Sequence, residues 1–449
     1  MKSFVYLSLW MLIFTHGSRA LAGGAIQTNL NGLPLSWEAG STIVYNPENG
    51  ALKSAGDYNA QQTRDLLKTA VDAWGILPGV QLVIEQGDFL DDGGDVDENN
   101  FKQFLGTGTE ACYPDIFGES EDACLTPIIF DEDGEILDSL FGACSKFFIL
   151  GFAGFDDVDD GSGDPARRIV RRGQALFSGA CLNPAEAKAG CGSCQRVLSD
   201  DEILTIVTHE MGHLMGMDHS QVHPDVFAEC TARPEGCPPG VADGLPTMFP
   251  ILVNKARMAD LHRDDEAYFQ RLYGNPNQSS CSVTGKVFAR DGTTEVRGVE
   301  VLAENVDETK SLTDAVSFIS GAEAPKNNRS GRSQGNCREN GGFYRITGLA
   351  VGETYRLCVQ KINPQFTGGS SIEPVDPPFQ AFSNGCPEGL TVTCQCGSGA
   401  PCPVFEGKDI LTDADPAVVE VCGAGPDNFE EFDSPSSGGC SLTKPSGSL

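Results

Sequence analysis

The sequence predicts an α+β (α/β) region over residues 23–274, followed by a small all-β sandwich over 281–364. Three observations carry this. Before residue 274, short apolar runs alternate with segments of 3.6-residue periodicity. "NPNQSS" (275–280) then reads as a linker, and the helical period stops. Beyond it, "CSVTGKVFARDG", "VRGVEVLAEN" and "GGFYRITGLAVGETYRLCVQ" alternate at period 2 between glycine-rich turns, as half-buried strands do. An irregular Ser/Asn/Gly insertion at about 320–340 interrupts this pattern. From 365 to 449 Pro, Gly, Ser and Cys dominate, which suggests a disulfide-held tail with a loose end.

Residues 1–22 read as a secretory signal peptide. Lys2 is a short basic region, Phe4 to Phe14 is too short to span a bilayer comfortably, and Ala20-Leu21-Ala22 is a small-x-small cleavage site. A retained N-terminal anchor is the alternative. No other stretch is apolar enough to cross a membrane, so a secreted, extracellular chain is expected, monomeric and without a transmembrane segment once mature. In the first region, "STIVYNPE" (41–48) and "VQLVIEQG" (80–87) read as strands. Between them a helix is predicted over 59–74, with Leu66, Leu67, Ala70, Val71 and Trp74 on one face and Gly75 as its stop. "TPIIFDED" (126–133), "KFFILGFAGF" (146–155) and "RIVRRGQALFSG" (168–179) are further strands. A second helix starts at a capping box of Ser199 with Glu202. A third runs roughly from Asp260 to Tyr273 and closes at Gly274.

The 449 residues are enough for two or three domains, and 40% hydrophobic content supplies a core. A net charge of −32 argues against nucleic acid and anionic membranes as partners. Seventeen cysteines suit an oxidising compartment. Eight precede residue 275 and nine follow it, so bridges can form on each side with one thiol left over; their pairing is open.

Half of the six histidines fall in "THEMGHLMGMDHS" (208–220). His209 and His213, four apart on the capped helix, share one face, as two imidazoles converging on one metal ion require. Gly216 breaks the helix and lets the chain return a third ligand, His219. Three neutral nitrogens on Zn²⁺ leave one tetrahedral position open, the arrangement of a catalytic site. Glu210 is out of line with the histidines, so it suits a general base that takes a proton from water and passes it to a leaving nitrogen. Incidental surface histidines are the bland alternative; Gly216 and His219 weigh against it.

"HEMGHLMGMDH" resembles the HExxHxxGxxH signature of the metzincin metalloproteases, and Ser220 directly after it resembles the matrixin branch. "LPTMFP" (245–250) is similar to that family's Met-turn, which implies that Met248 lies under the zinc as an apolar floor. "DLHRDDEAYFQRLYG" (260–274) is similar to the helix that closes matrixin domains. The resemblance implies a twisted, mostly parallel five-stranded sheet with three helices, a cleft along an antiparallel edge strand, and a zinc metalloendopeptidase acting on extracellular proteins or peptides. "GGFYRITGLAVGETYRLCVQ" (341–360) resembles a carboxypeptidase-regulatory-like sandwich. A secreted binding or structural protein with an inactive or latent protease-like domain is the rival; the intact Glu210 and three histidines weigh against it.

The chain departs from the family pattern in several places. Met248 lies unusually far beyond His219, and the intervening segment holds Cys230 and Cys237, which suggests a disulfide-pinned loop beside the cleft. His223, at its start, is expected to be exposed. The first cysteine, Cys112, lies inside the catalytic region, so an N-terminal thiolate inhibitor is not expected. A second histidine-rich zinc site is lacking; acidic loops stand there instead. "DEDGEILD" (131–138) arranges Asp131, Asp133 and Asp138 around a glycine turn, a candidate for structural Ca²⁺. "DDGGDVDENN" (91–100) and "DDVDDGSGD" (156–164) are weaker candidates, and a solvated turn is the alternative for each. Residues 147–154 are the candidate substrate edge, although their continuous apolar run also describes a central strand. Asn277 and Asn328 head N-glycosylation sequons.

Overall fold

The computed structural model describes residues 24–29, 32–53, 58–90, 95–105, 125–159, 169–182, 187–188, 192–193, 198–220, 222–233, 237–238, 240–253, 258–274, 279–323, 341–362, 383–397, 401–416 and 438–443. The expected signal peptide, Cys112, both sequon asparagines and most of the expected linker and of the 320–340 insertion lie outside the described residues.

The first region is mixed α/β, as its periodicities predict. Strands β1 (Thr42–Pro47), β2 (Val83–Gln86), β3 (Pro127–Asp131) and β5 (Ile169–Ser178) run parallel, in the order β5-β3-β1-β2. β4 (Ile149–Asp159) joins antiparallel beside β5. The apolar run Pro127–Asp131 is buried at every position, which matches a strand covered on both faces.

Helix α1 (Ala60–Gly75) starts at Asn59, whose side chain accepts the N–H groups of Gln61 and Gln62. Leu67, Ala70, Val71 and Trp74 are buried along it as the 3.6 period requires, and Leu66 packs at the border. Helix α3 (Asp200–Leu214) begins at the Ser199–Glu202 box and packs on α1 and β4. Helix α5 (Arg263–Tyr273) is capped by His262 and ends at Gly274. Two shorter helices, α2 (Glu135–Phe141) and α4 (Pro224–Thr231), add to the three expected. α4 lies in the loop pinned by the Cys230–Cys237 disulfide.

The second region is a two-sheet sandwich. β8 (Ala315–Ile319), β7 (Val299–Asn305) and β10 (Thr354–Lys361) form one sheet with β11 (Thr391–Thr393). β9 (Phe343–Ala350) and β6 (Ser280–Phe288) form the other, with β12 (Val404–Phe405) and β13 (Ile410–Leu411) beside β6. The sandwich therefore continues past residue 364 into the expected tail, and Cys281–Cys394 fastens that addition to the first strand. Cys358–Cys386 and Cys396–Cys402 tie down the connecting loops. These strands are only two or three residues long, too short for a period of 2 to show.

The largest departure from expectation is β14 (Gly438–Thr443) from the far end of the chain. It pairs antiparallel with β4 and makes the first sheet six-stranded. The stretch expected to be the substrate edge is thus covered on both sides.

Candidate metal centre

The site is built on α3, which three distant side chains hold by its carbonyls. The Trp74 indole N–H donates to Thr208 O (2.9 Å) and that of Trp37 to Leu214 O (2.8 Å). The Tyr273 hydroxyl donates to Met215 O (2.6 Å). The last two satisfy carbonyls that a helix C-terminus leaves without partners. Gly216, at φ 89°, then reverses the chain; a Cβ there would meet Phe155 Cζ at 2.9 Å.

This turn brings His219 back to the two helical histidines. The ring centroids of His209 and His213 are 4.6 Å apart, and His219 lies 5.2 and 4.7 Å from them. His209 Nδ1 is 2.7 Å from Thr247 O, and His213 Nδ1 is 2.8 Å from Met217 O. A carbonyl only accepts, so both Nδ1 atoms carry their protons and both Nε2 atoms present lone pairs. His213 Nε2 faces His219 Nε2 at 3.2 Å, and His209 Nε2 is buried without a hydrogen-bond partner. One ligand atom from each ring falls within 4.8 Å of the others. Burial holds the His213 pKa down at about 4, and burial followed by the nearby His213 holds that of His209 well below its ordinary value. Neutral rings with converging lone pairs are what a bound cation needs.

Glu210 follows the first of these histidines and is fully buried. β4 passes beside it: a Cβ on Gly151 would come within 3.1 Å of Glu210 Cγ. Met248 is buried under the helix turn between His209 and His213. Gly212 makes this possible, because a Cβ there would press on Met248 Sδ and stand 2.8 Å from Trp74 Cζ2.

Two residues of the site were not singled out by sequence reasoning. The Asp265 carboxylate accepts the N–H groups of Thr247 (2.8 Å), Met248 (3.1 Å) and His262 (2.8 Å). It thereby fixes the loop whose Thr247 carbonyl orients His209. Burial first, and then neighbouring Asp264, pushes the Asp265 pKa up to about 7. Asp264 accepts from Ser220 Oγ (2.6 Å) and from the backbone N–H of Ser317 (2.6 Å) on β8. The sandwich thus reaches the residue next to His219. In the sequence both acids fall inside the helix expected from about Asp260, with nothing to set them apart from its other charged residues.

The candidate calcium loop is closed by protein groups. Asp131 accepts the N–H groups of Ile136 (3.3 Å) and Leu137 (2.9 Å), Asp133 that of Glu135 (3.1 Å), and Asp138 that of Lys146 (3.3 Å). The Lys146 ammonium lies 2.8 Å from Asp133 O and 2.6 Å from Glu135 Oε1. The structure does not gather Asp131, Asp133 and Asp138 into a metal-capable cluster among the described residues. Of the weaker candidates, Asp97 caps its own turn at Asn99 N (2.9 Å) and Asp156 pairs with Arg172 (3.2 Å); the rest lie partly outside the described residues. His223 is buried rather than exposed, 6.5 Å from the His262 ring, because the sandwich packs against it: the Ser311 backbone and Glu304 approach its ring, and Val222 beside it sits among Leu302 and Ala315. The chain matches no family model and no curated protein.

Proposed function

We propose that the chain is a secreted zinc metalloendopeptidase of metzincin, matrixin-like type that hydrolyses peptide bonds of extracellular proteins. The observation that carries this is the convergence of three buried imidazoles, two with their Nδ1 protons committed to carbonyls, beside a buried glutamate. Three nitrogen donors suit zinc, with His209, His213 and His219 as ligands. Zinc held there supplies a Lewis acid and lowers the pKa of water toward neutrality. Glu210 takes the proton of the attacking water and returns it to the departing amine. Met248 and Gly212 set the depth of the apolar floor, and Asp265 holds the loop that aims His209. An extended substrate adds to β4, whose Gly151 brings it to Glu210. Disulfides on both sides of the linker support an oxidising, extracellular destination. Structural calcium forms no part of the proposal, since its candidate carboxylates have protein partners. The rival reading of a latent form draws support from β14, which covers the free side of β4.

The test is zinc content together with turnover of a quenched mixed-peptide library, with and without a chelator. One zinc per chain and chelator-sensitive cleavage are expected. Glu210→Ala should keep zinc and lower turnover by at least ~10²-fold. Unchanged turnover in that variant would overturn the mechanism.

A further inference from the structure

Strand β4 passes the candidate site at Gly151, and both of its hydrogen-bonding sides are occupied. β5 pairs along one side. Along the other, Gly438, Gly439, Cys440 and Ser441 stand opposite Phe155, Gly154, Ala153 and Phe152, and Thr443 stands opposite Ile149. The register slips between Ser441 and Thr443, so Leu442 falls across from Leu150 and Gly151. The slip therefore lies where β4 meets Glu210. His209, His213 and Glu210 have no exposure to solvent in this arrangement.

An extended peptide that adds to a sheet is held mainly by main-chain groups of the edge strand. Here those groups are already paired with the chain's own C-terminal segment. We propose that Gly438–Thr443 is a built-in competitor of the substrate, a strand that must leave β4 before a polypeptide can bind; this rests on the peptidase reading above. The segment "GGCSLT" is uncharged in a chain of net charge −32, so it approaches without the repulsion that most of the surface would impose. It has two glycines and few large side chains, which makes its intrinsic affinity low. Tethering compensates, because a linked segment acts at an effective concentration of order mM. Weak pairing sustained by a tether is releasable: a cut between the sandwich and residue 438 would free the edge. The slip at Leu442 disrupts regular pairing where a bond would have to be presented to Glu210, which suits an inhibitor better than a substrate.

The experiment compares the zinc-loaded full chain with a full-length Ser441→Pro/Leu442→Pro variant. Adjacent prolines remove the β4-facing N–H whichever of the two residues supplies it. Amide hydrogen exchange of residues 149–155 and turnover of the peptide library are both measured. Exchange on β4 should rise by about tenfold or more, and turnover should rise by a similar factor. A synthetic peptide of residues 436–445, at ~1 mM, should inhibit the variant competitively. Unchanged exchange overturns the docking, and faster exchange with unchanged, measurable turnover overturns the competition. Faster exchange with zinc bound and no turnover in either chain leaves the docked strand standing and removes the peptidase reading instead.

Discussion

Two buried polar clusters flank the loop around Met248, and they are finished in opposite ways. In the histidine cluster the outer nitrogens of His209 and His213 are committed to carbonyls, while the Nε2 atoms converge on one point. In the Asp264–Asp265 pair, N–H and O–H groups of the protein itself approach the oxygens: Thr247, Met248 and His262 for one, Ser220 and Ser317 for the other. Burying a polar atom without a partner is costly. A cluster that leaves lone pairs facing each other is therefore built for something added to the chain, whereas one satisfied by backbone donors holds the chain together. The first cluster draws on eleven residues of sequence, and the second joins α5, the Met248 loop and the sandwich.

The sharpest test of that contrast is His213→Ala. It removes one converging lone pair, so zinc content should fall from about one per chain to near zero, with turnover lost and the fold retained by circular dichroism. A variant that keeps stoichiometric zinc would mean that the cluster is not the site. Asp265→Ala should act in the other direction, on the fold first. Three N–H groups lose their acceptor, which costs on the order of 3 kcal/mol in urea unfolding. Metal affinity should drop about tenfold or more as Thr247 loosens from His209. If stability stays unchanged, the acid pair does not brace the fold.

The smallest effect concerns pH. Burial pushes the pKa of Glu300, on β7 near Asp264, up to about 8 from an ordinary 4.5. A carboxyl with a raised folded-state pKa favours folding most below its unfolded value, and that contribution is lost as pH rises through the folded value. Stability should therefore decline between about pH 4.5 and about pH 8. Glu300→Gln, neutral throughout and still able to accept from Gln360, should flatten the decline. Glu48, raised by burial to about 8 as well, together with Asp265 at about 7 and Asp131, Asp156 and Asp264 at about 6, leaves a residual slope of the same sign. An unaltered pH profile of the unfolding midpoint would show that Glu300 does not titrate in this window.

The same division separates what could be read from the sequence and what could not. The Ser199–Glu202 cap, the buried face of α1 and the His209–His213 spacing depend on residues three to eleven apart, so local geometry carries them. Asp265 is legible only as one charged residue within a predicted helix, because its work is to hold a loop seventeen and eighteen residues earlier. His223 reads as exposed because nothing near it in the sequence announces the sandwich residues, far later in the chain, that cover it. β11, β12 and β13 read as part of a tail, because strands of two or three residues are too short to show alternation.

By itself, the sequence determined the chemistry that the chain can attempt: three imidazoles, a glutamate and a glycine turn, close enough in the chain that one helix and one reversal assemble them. Tertiary structure alone decided what surrounds that chemistry. It chose the carbonyl that orients His209, set the sandwich against Ser220 through Asp264, and laid Gly438–Thr443 along β4. Main-chain hydrogen bonds between strands are nearly independent of side-chain identity, so a pairing across almost three hundred residues leaves little trace in the order of amino acids.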